Sequence, residues 1–432
     1  MLVQFTFGNF KSFRDKTTLS LLASADPLLS KDNVFTEKTF DTTLLKTAAI
    51  YGSNASGKSK LFEALLFMRS MILNSAKEST LGEPIETVPF LFSETSAKQP
   101  SSFEIVLIYE KIQYRYGFTA DKDKIYSEWL LYRPKTKEVG LLWRDEKGFE
   151  THPKLFRKLK AIEKSIGTKF FNRNTLLLSQ AVKFEEEFAV QFVKAILQIG
   201  LIDAHQDGGY LGYTLSQLEK QKERILRFLK IADIHLSDLQ EKRVSEYELP
   251  KNMPADLKKK MLSEIKEGSI FDIKTGHKKY DSQGRLAKQL EYLSMFRDES
   301  SGTQKFFALT GPILDTLDKG KVLFIDELEA KLHPFLVRII VRLFNSKELN
   351  KKNAQLVFAT HDTNLLTGEL LRRDQIWFVD RDRIGASKLY SLTDFKMGDK
   401  KVRNDANFEK QYLEGKYGGT PAIGDLQQLF TS

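Results

Sequence analysis

The 432-residue sequence contains no cysteine, which excludes disulfides, zinc-thiolate sites and thiol catalysis and suits a cytoplasmic protein. No stretch reaches the roughly 18 consecutive apolar residues of a membrane-spanning helix, so no membrane partner is expected. Met1-Leu2-Val3-Gln4-Phe5 lacks the charged-then-apolar layout of a secretory signal. There is no internal repeat, no low-complexity tail and no sustained heptad, which removes solenoids and long coiled coils and leaves room only for a short helical hairpin. What is present is a hydrophobic content of 41%, enough for a large core, spread over two or three units at roughly 100 to 200 residues each. Lys plus Arg number 67 against 57 Asp plus Glu, a formal net charge of +10. That balance permits contact with nucleic acid or an acidic partner, and it equally describes surplus surface lysine.

The strongest local signal is Gly52-Ser53-Asn54-Ala55-Ser56-Gly57-Lys58-Ser59, which fits the phosphate-loop pattern G-x-x-x-x-G-K-[ST]. It lies between an apolar strand, Thr47 to Tyr51, and an amphipathic helix, Lys60 to Asn74, with Leu61, Leu65, Phe67, Met68 and Met71 apolar. In such a loop the backbone N–H groups and the helix N-terminus face a polyphosphate. Lys58 then reaches the β and γ phosphates, and the Ser59 hydroxyl ligates Mg²⁺.

Before this loop, Val3 to Phe7 and Thr17 to Ala23 read as a hairpin around Gly8-Asn9-Phe10-Lys11-Ser12-Phe13-Arg14-Asp15. After it, Ser102 to Tyr109, Ile112 to Thr119, Ile125 to Arg133 and Val139 to Arg144 are β-type runs separated by polar turns, an antiparallel sheet and not a βαβ repeat. From about residue 153 the texture turns helical and charged, with Lys154 to Ile166, Phe184 to Ile199, Leu215 to Ile231 and Ala255 to Glu267 as helices and Asp203 to Tyr213 as an exposed loop. Lys258-Lys259-Lys260, Lys266, Lys274, Lys278 and Lys279 either track phosphates or form a solvated helix face. After residue 290 the α/β texture returns: helices Thr303 to Leu317, Pro334 to Phe344 and Asn364 to Arg372 alternate with strands Lys321 to Asp326, Gln355 to Thr360 and Gln375 to Asp380. The expected division is 1–180, 181–295 and 296–432.

A second half-site follows from these strands. Val322-Leu323-Phe324-Ile325 ends in Asp326 and Glu327, an apolar strand delivering two carboxylates: Asp326 to hold Mg²⁺ through its water shell, Glu327 to polarise the attacking water as general base. Glu299-Ser300-Ser301-Gly302-Thr303-Gln304 is a small-residue turn opening a helix, a second anion site through free N–H groups. Thr360-His361-Asp362 closes a strand and brings an imidazole toward the γ phosphate. His333, in Leu332-His333-Pro334, serves either a dimer interface or the helix start.

This order of motifs resembles the ATP-binding cassette family, and within it the heads of Rad50, RecF and SMC proteins. The resemblance implies an α/β phosphate-loop ATPase with an antiparallel β subdomain and a helical insertion. Asn9-Phe10-Lys11-Ser12-Phe13 looks like the N-terminal signature turn of that group, Gly52 to Ser59 with Lys60 its Walker A loop, Asp326-Glu327 its Walker B pair and His361 its switch histidine. Ser300-Ser301-Gly302 looks like the signature loop. It departs from Leu-Ser-Gly-Gly-Gln, with Glu299 in place of leucine and Ser301 in place of one glycine. Either serine aligns as the γ-phosphate contact; Ser300 is preferred because Gly302 then takes the second glycine place. Gln180, in Leu178-Ser179-Gln180, is similar to a Q-loop glutamine that senses the γ phosphate and Mg²⁺.

The resemblance narrows to stand-alone prokaryotic ATPases of antiphage defence, as in PARIS and abortive-infection operons. It is carried by Tyr114 to Phe118, Glu128-Trp129-Leu130, Asp326-Glu327-Leu328-Glu329 with Leu332-His333-Pro334, and Tyr412 to Pro421. It implies ATP and Mg²⁺ as ligands, and a homodimer in which each ATP lies between one chain's Ser59 and the other's Ser300. Asp362 to Ser432 carries no clear acidic metal cluster and no His-Asn-His arrangement, so a separately encoded effector, such as a Toprim-type nuclease, is the expected output partner. The alternatives are a RecF-like or SMC-like DNA repair ATPase gripping duplex DNA and, more remotely, a transporter ATPase subunit. Tyr417-Gly418-Gly419 either covers nucleotide, binds a partner or forms an ordered turn.

Overall fold

A computed structural model of the chain describes residues 1–78, 83–167, 171–203, 207–243, 271–397 and 400–421. It divides into two compact units: residues 1–204, 316–329 and 340–432 form the first, and residues 205–315 with 330–339 the second. The insertion therefore begins near residue 205 and not at 181, and the turn at Ser300 belongs to the inserted unit.

The first unit holds two sheets. A six-stranded sheet runs in the order Ile199–Ile202, Val322–Ile325, Gln355–Ala359, Thr47–Tyr51, Ile376–Arg381, Ser387–Ser391. The first five strands are parallel and the last is antiparallel. Its central strands are buried along their length, which is why they read as apolar runs without alternation. The other sheet has seven antiparallel strands: the five between Ser101 and Thr151 continue directly onto Leu2–Gly8 and Thr17–Ser20. Sequence periodicity found the hairpin and the meander separately. Their union depends on the pairing of Phe5 with Ile105 and Phe7 with Phe103, which no local pattern encodes.

Between the sheets lies the helix Lys58–Glu78. Its Phe62 ring meets Phe324 of the parallel sheet at 5.7 Å, and Phe67 meets Phe103 of the antiparallel sheet at 5.0 Å. Apolar residues on both flanks fit a helix sandwiched between two layers.

Three local expectations change. Ile199–Ile202 is a strand, not the end of a helix, because it pairs in parallel with Val322–Ile325; a short apolar run is ambiguous by periodicity alone. Asn364 to Arg372 forms no α-helix. Short 3₁₀ turns stand at Thr363–Leu365 and Arg373–Gln375, the first started by the Asp362 carboxylate accepting from Asn364 N–H at 3.0 Å. Helix replaces most of the expected loop at 203–213, since Asp207–Ile231 is one helical run with a break at Gln221.

That helix belongs to the second unit. Thr214 Oγ1 donates to Ala308 O at 2.6 Å, and a Cβ on Gly311 would come within 2.5 Å of the same hydroxyl. Close packing against the helix Ser301–Lys319 thus outweighs the loop-like glycines of its first turn. The unit also holds a three-stranded antiparallel sheet, Asp238–Arg243, Phe271–Tyr280 and Leu286–Ser294, which the charged texture of this region hid. The helix expected over Ala255 to Glu267, with Lys258 to Lys260 and Lys266, lies outside the described residues. No described helix is long and apolar enough to cross a membrane.

Candidate phosphate and metal site

Four neighbouring parallel strands end level with one another, since Ile202 pairs with Ile325, Ile325 with Phe358 and Ala359 with Ile50. The residues just beyond these ends are Asp203, Asp326, Thr360 with His361, and Gly52. The carboxyl edge of a parallel sheet is where such folds bind ligands.

The loop from Gly52 to Ser59 is held open by steric necessity. A Cβ on Gly52 would lie 2.5 Å from Val379 O, and one on Gly57 would lie 2.4 Å from Ser387 Oγ and 2.8 Å from Ser12 Oγ. Ala55 has φ of 61°, a left-handed residue inside the loop. Lys58 is buried and its ammonium donates to Gly52 O at 2.7 Å and Ser53 O at 3.1 Å. Burial lowers the Lys58 pKa, while Asp326, Glu329 and Glu327 pull it back up.

Asp326 is buried, and burial raises its pKa; the Ser59 hydroxyl donates to it and opposes the rise, whereas Glu327 and Asp203 add to it. The Ser59–Asp326 pair is the one that magnesium coordination in a phosphate-loop site requires. Glu327 follows with φ of 49°, a conformation that costs free energy in a non-glycine residue and collects at working sites. Glu329 Oε1 accepts from His361 N–H at 2.5 Å. The His361 pKa is lowered, first by desolvation and then by the Lys58 charge. Lys58, Ser59, Asp326, Glu327 and His361 are therefore brought together.

The chemistry of the cluster asks for a ligand. Ser56 Oγ, Asp326 Oδ1, Glu329 Oε2 and Asp362 Oδ2 are buried polar atoms without hydrogen-bond partners. Native interiors rarely leave such atoms unpaired. A carboxylate and hydroxyl set suits a hard cation, and the loop N–H groups suit phosphate oxygens. The residues present fit a magnesium–nucleoside triphosphate.

Gln180 is not delivered here. Its neighbour Ser179 donates to Ile72 O at 2.7 Å and accepts from Ser75 Oγ at 3.0 Å, thirteen residues beyond Ser59 and so about 20 Å along the helix at ~1.5 Å per residue. The helix Leu177–Lys183 is fixed there by the buried Glu128 carboxylate, which accepts from Leu177 N–H and Leu178 N–H, both at 2.8 Å. Glu128 therefore orients a structural helix start, and its pKa is raised by burial.

Ser300, Ser301 and Gly302 stand in the second unit. Ser300 caps its helix, its Oγ accepting from Thr303 N–H at 3.1 Å. Gly302 lies under Lys331 O, 2.9 Å from where a Cβ would be. His333 starts the helix Pro334–Asn345, its Nδ1 accepting from Phe335 N–H at 3.2 Å and its ring stacked on Phe335.

Sequence reasoning missed Ser387, and it named the turn of Ser12 and the Tyr417-Gly418-Gly419 stretch without the contacts they make. Ser387 Oγ donates to Ser56 O at 2.5 Å and pairs with Ser12 Oγ at 2.9 Å. Asn9, in the same N-terminal turn as Ser12, donates to Ser96 O and Gln99 O, both at 2.8 Å. Gly419, at φ of 68°, would place a Cβ 3.6 Å from Gly52 Cα, and its carbonyl accepts from Tyr412 Oη at 3.1 Å. Tyr417-Gly418-Gly419 is thus an ordered turn against the phosphate loop. Ser387 had no sequence signal, whereas Glu329 had one in the spacing of Asp326-Glu327-Leu328-Glu329.

Residues 48–367 match the family model described as "AAA domain, putative AbiEii toxin, Type IV TA system". No curated protein matches the chain. Among solved structures, the SMC head domain from Thermotoga maritima is similar at 13% identity and a TM-score of 0.39, covering 90% of this chain and 98% of that one. A likeness of that size adds nothing to the fold, which rests on the strand order itself.

Proposed function

The chain belongs to that AAA-domain family, and from this premise we propose that it is a Mg²⁺-dependent ATPase that acts as the sensor or scaffold subunit of an abortive-infection system, controlling a separately encoded toxic effector such as a Toprim-type nuclease. The carrying observation is the pair of unpartnered buried carboxylate oxygens on Asp326 and Glu329, whose charges act on Lys58, with the unpartnered Ser56 hydroxyl in the loop itself. Ser59 and Asp326 would hold magnesium, which would supply charge neutralisation at the phosphate oxygens. Lys58 and the loop N–H groups orient the triphosphate. Glu327 takes a proton from the water that attacks the γ phosphorus as the bond to the β-phosphate oxygen breaks, and neutral His361 faces the departing phosphate. Ser300 of a second copy completes each site, so ATP binding closes a homodimer and hydrolysis relaxes it.

The abortive-infection context is supported by the family description. A DNA-repair reading is weakened at Lys274, which pairs with Asp272 at 2.9 Å, and at Lys279, which pairs with Glu291 at 2.7 Å. The test is phosphate release by the purified full chain with and without Glu327→Gln, followed by co-purification of the neighbouring gene's product. Glu327→Gln should bind ATP, fail to turn it over and hold dimer and effector. Wild-type turnover in Glu327→Gln, or nuclease activity lost on mutating this chain's own residues, would sink the reading.

A further inference from the structure

The residue that departs most from the signature pattern, Glu299, is engaged in a way a leucine could not be. Its Oε1 accepts from Thr275 Oγ1 at 2.6 Å and meets His277 Nε2 at 2.7 Å, while His277 Nε2 also lies 3.1 Å from Thr275 Oγ1. The carboxylate is nearly enclosed, at 12% side-chain exposure. Its own backbone carbonyl accepts from Gln304 Nε2 at 2.9 Å. Ser300, next in the chain, caps the helix through Thr303 N–H. The turn is therefore fixed on both sides: the Glu299 side chain ties it to the strand Phe271–Tyr280, and the Glu299 carbonyl ties it to the helix Ser301–Lys319. All of these residues lie within the second unit.

The strand that provides Thr275 and His277 forms a hairpin with Leu286–Ser294, in which Gly276 pairs with Tyr292 and Tyr280 with Leu286. Toward its tip the hairpin is uncovered, with Tyr280 58% and Leu286 59% exposed. An element held at its base by the signature turn and free at its tip is arranged to move that turn.

We propose that Thr275 and His277 are positioning residues that set Ser300 through Glu299, so that the inserted hairpin governs whether Ser300 can complete a partner's nucleotide site. This rests on the reading of Ser300 as the γ-phosphate contact. A leucine at position 299 would leave the turn to pack passively; a carboxylate makes its placement conditional on two donors. With His277 removed, the enclosed carboxylate loses a partner and pulls away from the hairpin, and displacement of a contact by about 1 Å costs on the order of 100-fold in rate.

The experiment uses the full chain and measures three quantities: ATP-analogue affinity, turnover with Glu327 intact, and ATP-driven dimer formation in the Glu327→Gln background. His277→Ala and Thr275→Val should lower turnover by about tenfold or more and weaken ATP-driven pairing, with nucleotide affinity unchanged. A purely structural role would move affinity, melting and turnover together. His277→Gln, which keeps a side-chain N–H donor, should retain most of the rate. Glu299→Leu added to His277→Ala should recover turnover, because no stranded carboxylate remains, and the double-mutant cycle reads that coupling directly. If His277→Ala does not fold, Thr275→Val and His277→Gln carry the comparison. Wild-type turnover in His277→Ala and Thr275→Val beside an inactive Ser300→Ala would overturn this inference alone. Wild-type turnover in Ser300→Ala would overturn the signature reading and this inference with it, and absence of ATP binding by the wild type would overturn the proposed function itself.

Discussion

The phosphate loop and the signature turn are both small-residue segments opening a helix, yet they are built on opposite terms. Around Lys58 the oxygens of Ser56, Asp326 and Glu329 are buried and unsatisfied, and the backbone is held left-handed at Ala55 and Glu327. At Ser300 the hydroxyl is exposed and already occupied as a helix cap, paired with Thr303. The first segment is preorganised at a cost in stability and is relieved by a ligand. The second is satisfied as it stands, its hydroxyl oriented by the Thr303 N–H that it caps. This contrast fits a site in which one side binds and the other responds.

The sharpest way to break the comparison is to remove one anchor from each side. Lys58→Ala should abolish nucleotide retention and lower phosphate release by about 10³-fold, while Ser300→Ala should lower release by about 10²-fold with retention intact. Equal loss of retention in both variants, measured by equilibrium binding, would erase the distinction. Loss of the cap should also cost Ser300→Ala about 1 kcal/mol in denaturant unfolding.

Asp326→Asn sharpens the claim that the loop side stores unfavourable burial. Because folding raises the Asp326 pKa, its charged form opposes folding at every pH above the ordinary carboxylate range. The nucleotide-free variant should therefore melt higher than wild type near neutral pH, gain nothing in acid, and lose its magnesium-dependent turnover. A lower melting temperature at neutral pH would contradict the assignment.

A smaller effect concerns His361. With its pKa lowered, the folded protein resists protonation that the unfolded chain accepts. The histidine's contribution is thus present above its ordinary pKa of about 6.5 and is lost as pH falls through the lower folded value. Turnover should show no His361-dependent decline down to about pH 6.5, and His361→Gln should remove the acid limb below it. The smallest expected change is in Gly419→Ala, where the left-handed backbone costs roughly 1 kcal/mol in denaturant unfolding while the added methyl meets Gly52 Cα at an ordinary contact distance of 3.6 Å, leaving kcat and KM for ATP near wild type.

Much of this was written locally. The loop pattern, the apolar strand ending in Asp326-Glu327 and the strand ending before His361 each require only neighbours in sequence, and the alternation of Ile125 to Arg133 gave that strand's bounds as they stand. Expectations failed where a partner far along the chain decided the outcome. Ile199–Ile202 became a strand by pairing with Val322–Ile325, and the glycine-rich run near 207 became helix by packing Thr214 on Gly311. Gln180 was drawn to the far end of the loop helix because Ser179 and Ser75 bond there.

The sequence by itself located the phosphate-loop pattern and the lysine, hydroxyl and carboxylates that gather beside it, because a phosphate loop is a feature of consecutive backbone N–H groups and needs no distant residue to be recognised. Tertiary structure alone decided what braces that loop and what holds the signature turn. Ser12, Ser387 and Gly419 converge on the loop from both ends of the chain, and Glu299 finds Thr275 and His277 on another strand. Such contacts arise between side chains brought together by sheet pairing and burial, and residue spacing carries no trace of them.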